Sequence, residues 1–293
     1  ICMSKMTDTG GGINYALYRY TPSIPAAVIF AVLFILLSAL HLIRLIKHRS
    51  YFFIPFLVGL LLECAGYIAR IFSHFDTKAL GPYIVQTMLI LVAPPLFAAS
   101  IYMTLGRIIV KLDAEEMSLV PVRFLTKIFV VGDVISFLLQ CGGGGYMAAG
   151  TLSAMDIGAN IVIGGLAIQL LFFGFFVVVS AIFHWRVKKR SEYSNLSGAS
   201  LTTTSRNSKT KMTWESIMWA LYIACLLILV RSIFRVVEFV EGNDGFIMRR
   251  EYLLYIFDAC LMVLTGVVLG ICHPGSVLTQ GRKRDSEMSL CTR

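Results

Sequence analysis

Apolar residues in this chain arrive in runs, each about as long as the roughly 20 residues needed to cross about 30 Å of hydrocarbon. Seven such runs are legible, over residues 24–43, 52–72, 83–105, 124–141, 159–183, 216–237 and 252–271. In lipid every backbone amide must find its partner within its own segment, so runs of this kind are helices. The pattern predicts an all-α membrane protein, a bundle of seven transmembrane helices. A segment over 1–23 precedes the bundle (24–275), and a tail over 276–293 follows it. Residues 1–19 lack a basic stretch followed by an apolar one, so no cleavable signal sequence is expected there.

The segments between the runs supply direction. Eighteen Lys and Arg fall after spans one and seven and around the links between spans three and four and between five and six; six fall on the other side. Basic residues are retained on the cytosolic face, so the N-terminus is expected to be exoplasmic and the C-terminus cytosolic. The link at 191–213 is long, basic and rich in Ser and Thr, the composition of a disordered cytosolic tether. It is also a place where a cytosolic partner could dock.

Polar residues recur inside the runs at helical spacing. Glu63, Tyr67 and Arg70 stand at i, i+4 and i+7 on span two, and Asp133, Phe137 and Gln140 repeat this on span four. Arg231, Arg235 and Glu238 do so on span six, and Glu251, Tyr255 and Asp258 on span seven. Such residues share one helix face, and an ionisable group at mid-membrane costs about 2.5–3.5 kcal/mol on insertion scales, so each needs a reason. On the expected topology Glu63, Asp133 and Gln169 lie near the midplane, with Arg70, Gln86, Gln140, Arg235, Glu238 and Tyr255 in the outer half. This implies a polar pocket opening outward above an apolar inner plug, or else a structural network of ion pairs without a ligand. Five acids against three arginines leave two carboxylates for a cationic ligand, with Asp133 and Glu63 the first choices. The ligand-binding candidates are therefore Glu63, Tyr67, Gln86, Asp133, Gln140, Gln169, Tyr255 and Asp258. Arg70, Arg231, Arg235 and Glu238 are read as structural ion pairs. Pro94-Pro95 should kink span three, and Gly142–Gly145 should form a turn after span four.

Composition narrows the function. The 293 residues are 57% hydrophobic and 15% charged, with mean hydropathy +0.77, and part of that apolar surface must face lipid. The net charge of +9 resides in short links, not in one folded patch, so nucleic acid is not the expected partner. No phosphate-cradling loop with its lysine occurs, and the five histidines and seven cysteines form no close-spaced metal set. No metal, cofactor or enzymatic activity is expected.

Glu63-Cys-Ala-Gly-Tyr-Ile-Ala-Arg70, Ala93-Pro-Pro-Leu-Phe-Ala-Ala-Ser-Ile-Tyr102 and Asp133-Val-Ile-Ser-Phe-Leu-Leu-Gln140 are similar to segments of the fungal RTA-like family of lipid-translocating exporters. Arg231-Ser-Ile-Phe-Arg-Val-Val-Glu238, Glu251-Tyr-Leu-Leu-Tyr-Ile-Phe-Asp258 and the His273-Pro-Gly ending extend the resemblance over residues 20–275. The resemblance implies a plasma-membrane protein, or one of another endomembrane. It also implies export or transbilayer movement of amphiphiles such as sphingoid long-chain bases, with resistance to toxic amphiphiles. Its partners would be membrane lipids, preferably cationic. A seven-helix lipid sensor signalling through 191–213 and the tail is the alternative.

Overall fold

The computed structural model describes residues 23–75, 80–147, 149, 151–196, 214–242, 250–273 and 275. The expected exoplasmic segment, apart from Ser23, and the tail lie outside the described residues. Seven long helices fall on the seven apolar runs: α1 (Ile24–His48), α2 (Ile54–Phe75), α3 (Leu80–Lys111), α4 (Val122–Met147), α5 (Leu152–Leu196), α6 (Trp214–Glu241) and α7 (Glu251–Ile271). No strand occurs among the described residues. Six of the seven are long and apolar enough to cross a membrane, and α4, which carries Arg123, Lys127 and Asp133, lies outside that set. The chain is a multi-pass helical membrane protein.

Local sequence explains the helix ends. Both α1 and α2 open on Ile-Pro, where the missing proline amide costs nothing because a first-turn N–H has no helical partner. Arg49 closes α1 in the left-handed region at φ 48°, and its N–H returns to the carbonyls of Leu45 and Ile46. Pro94 and Pro95 lie inside α3, which remains one helix of 32 residues. Helix α5 continues to Leu196, so the first six residues of the tether expected at 191–213 are its last turns. Residues 197–213 lie outside the described residues.

Gly142–Gly145 do not form a turn but belong to α4. Of these, Gly143 serves close approach to α5, since a Cβ there would stand 2.6 Å from the Gly158 carbonyl oxygen; from α5, a Cβ on Gly165 would stand 2.8 Å from that of Ser136. These glycines let α4 and α5 pack backbone to backbone, a device of helices without a water-driven core.

Burial is inverted relative to a water-soluble protein. Ile29, Leu36, Ile43, Leu171, Trp185 and Leu226 are more than half exposed, whereas arginines and acids are buried among the helices. The exposed side chains face outward as a lipid-covered surface would. Hydrogen bonds orient the bundle. Ser23, at the start of α1, donates its N–H to Glu251 at the start of α7, and Arg70, late in α2, reaches the same carboxylate. At the opposite end His41 donates from Nε2 to the Gly266 carbonyl at 2.9 Å, and Ser50 pairs with His273 at 3.0 Å. Burial, reinforced by neighbouring positive groups, holds the His273 imidazole down at about 3, so this end carries a neutral ring. His41 there packs on Phe53 and Phe56.

Candidate functional site

The polar faces of α2, α6 and α7 meet in the middle of the bundle. Asp258 is the hub. Its Oδ1 accepts from Arg231 Nε at 2.6 Å and its Oδ2 from Arg235 Nη2 at 2.7 Å, while Arg235 Nη1 donates to Glu238 at 2.8 Å. Arg231 spends its remaining reach on the Ile90 carbonyl of α3, at 2.7 Å. One turn nearer the α7 N-terminus, Arg70 donates to Glu251 at 3.1 Å and to the Tyr255 hydroxyl at 3.0 Å. A bidentate guanidinium–carboxylate pair offsets part of the cost of burying both charges.

The hub stands on an irregular backbone. Residues Tyr255–Cys260 of α7 form a π-helical turn, which widens the helix where Asp258 faces the two arginines. Such turns inside α-helices are frequent at functional positions.

Pairing leaves two acids over. Both carboxyl oxygens of Glu63 and both of Asp133 are buried without a hydrogen-bond partner, although the two residues are 0% and 4% exposed. An unpaired buried carboxyl is among the most costly groups a fold can carry. The two occupy different surroundings. Glu63 lies beside the Arg231–Asp258–Arg235 hub, with Tyr67 one turn on and its hydroxyl also unpartnered. Asp133 of α4 lies beside the Tyr102 hydroxyl of α3 but without the geometry of a formed hydrogen bond. Tyr102 in turn packs on Phe176, Phe129 and Phe173, with ring centroids 4.4, 5.4 and 6.1 Å away. The Asp133 carboxyl thus lies beside a tyrosine that packs in an aromatic cluster, and no described arginine bonds to it.

The remaining candidates are placed as follows. Gln140 of α4 donates to Gln169 of α5 at 2.8 Å, so these two amides are paired with each other. Gln86 is buried on α3. Tyr255 is bonded to Arg70, and Asp258 is saturated by its two arginines and has no oxygen to spare for a ligand. The expected outward opening is closed in this structure, because all twelve candidate side chains are at most 7% exposed. Stacking of Phe30 on Tyr255, and of Phe34 on Tyr67, covers the hub from the side of α1. Tyr102 was missed by a search for charged residues at helical spacing. It closes the uncharged Ala93–Tyr102 segment, and the nearest charge on its helix, Arg107, stands at i+5, off the i, i+4, i+7 pattern.

Comparison with known proteins adds a family. Residues 56–281 match the model of the RTA1 like protein family. Three relatives come from Saccharomyces cerevisiae. Protein RTM1 is 36% identical over 90% of this chain and 93% of its own length. Protoporphyrin uptake protein 1 is 34% identical, with the same two coverages of 90% and 93%. Sphingoid long-chain base transporter RSB1 is 27% identical over 87% of this chain and 72% of its own. No solved structure matches.

Proposed function

The chain belongs to the RTA1-like family, and on that premise we propose that it moves long-chain amines of the sphingoid-base class across a membrane. Asp133 receives the ammonium group. The observation that carries this reading is a buried carboxyl with no hydrogen-bond partner and no bonded arginine, beside a tyrosine packed in an aromatic cluster. The carboxylate attracts an ammonium head of any substitution through its charge and adds hydrogen bonds where the head carries N–H, and a nearby tyrosine ring adds cation–π attraction. The hydrocarbon tail needs no pocket of its own, since the lipid and the apolar outer surface of the bundle accommodate it. Relatives named for transport of a sphingoid base and uptake of a porphyrin support a large amphiphile as cargo. The reading includes all seven helices as spans, an exoplasmic N-terminus and residence in the plasma membrane, on the strength of the lysine and arginine asymmetry and the family.

A carrier and a sensor are separated by the link between α5 and α6. Cells expressing the chain are expected to release more long-chain amine than cells lacking it. Deleting residues 197–209 should leave that release within about twofold of wild type, because a link rich in Ser and Thr and poor in apolar residues contributes little to a helical bundle. Loss of release, with the shortened protein still at the membrane, would support signalling through the link instead.

A further inference from the structure

We propose that Glu63 is a proton-coupling site, distinct from the amine site at Asp133, and that the cargo moves in exchange for protons. This rests on the transport reading above and names its energy source.

The argument is one of competition for two guanidinium groups. Arg231 and Arg235 face two acids that are bonded to them, Asp258 and Glu238, so these four groups are neutral together. Glu63 is a fifth group in the same interior, fully buried, and it touches neither arginine at hydrogen-bond distance. Facing it are Tyr67 on its own helix, Arg231 and Arg235 on α6, and Asp258 on α7. Among the described residues α1 adds no charged group here, with Phe30 and Phe34 packed on Tyr67, and α3 adds Ile90 against Gly66. When Glu63 carries a proton, every charge in the hub is matched, which is the bonding observed. When the proton leaves, the carboxylate becomes a second claimant for guanidiniums now held by Asp258, and the hub must rearrange.

That rearrangement has a place to occur. Asp258 lies within the π-helical turn of α7, and return of such a turn to regular α-helix rotates the residues on one side of it. The Arg231–Ile90 bond ties the hub to α3, the helix that carries Tyr102 beside Asp133. Loss of a proton at Glu63 can thereby be felt at the amine site. The balance is simple: one proton leaves Glu63 to one compartment as one cation is taken up by the carboxylate of Asp133, and the reverse occurs on the other side. The exchange moves no net charge.

The test uses the full-length protein, purified and reconstituted in liposomes, with the membrane potential clamped. The probe is a long-chain trimethylammonium amphiphile, whose fixed charge prevents it from following a pH gradient as the free base. One-for-one exchange should drive accumulation of about tenfold per unit of pH gradient. Glu63→Gln should abolish that gradient dependence while still allowing the probe to equilibrate. Glu63→Asp, which keeps the acid, should retain it and guards against a glutamine variant that fails to fold. Probe movement in the wild type that ignores the gradient overturns the proton site and leaves the carrier standing. No probe movement at all overturns both.

Discussion

Asp133→Asn is expected to lower long-chain amine movement by roughly tenfold to a hundredfold while the protein stays folded in the membrane. The substitution keeps the volume of the side chain and removes its charge. A hydrogen bond to a charged group contributes about 1.5–3 kcal/mol, and each 1.4 kcal/mol is a factor of ten. Folding should not suffer, because both oxygens of Asp133 are without a partner in the resting bundle and no ion pair is lost. An amide at this position can even donate to the neighbouring Tyr102 oxygen. Tyr102→Phe should have a smaller effect, since it keeps the ring and its packing on Phe129, Phe173 and Phe176 and loses only the hydroxyl. Amine flux and detergent melting temperature, measured on the same preparations, separate a lost site from a lost fold. Wild-type flux in Asp133→Asn would return the cluster to a purely structural role.

Arg235→Ala is expected to act in the opposite way, on the amount and stability of the protein before any effect on transport. Arg235 is 4% exposed and holds two acids, Glu238 at 2.8 Å and Asp258 at 2.7 Å. Removing one member of a buried pair leaves the other charge without compensation, at a cost of about 3–5 kcal/mol. Here Glu238 loses its bonded partner among the described contacts, and Asp258 keeps Arg231 alone. Arg235→Lys should fall between alanine and wild type, because a point charge reaches one acid but cannot reproduce the planar fork. Membrane yield and melting temperature are the readouts. Wild-type values for Arg235→Ala would mean that the hub does not hold α6 to α7.

Much of this architecture was legible because a membrane writes it in long runs. The seven runs coincide with seven helices, and the embedded acids and arginines at helical spacing do share buried faces. What periodicity cannot supply is the choice of partner between helices. Arg231 and Asp258 each lie on a recognisable stripe, but only the packing of α6 on α7 puts them 2.6 Å apart. The same packing decides which two acids of the five remain over. Gly142–Gly145 read as a turn because glycine favours turns in water; in the bundle the run stays helical, and the missing side chain of Gly143 serves the approach of α5 to α4. The π-helical turn at Tyr255–Cys260 left no sequence mark, since no glycine or proline interrupts it. The end of α5 was placed early because an apolar run stops where the lipid does, whereas the helix runs on past it to Leu196.

The most direct measurement compares two amphiphiles of equal chain length in liposomes that contain only the purified protein. One bears a trimethylammonium head and the other a hydroxyl. Recognition by the Asp133 carboxylate requires the cation to cross well above the rate in empty liposomes, with the alcohol at that background rate and Asp133→Asn abolishing the difference. Equal rates for the two heads, or a cation rate no faster than in protein-free liposomes, would contradict it.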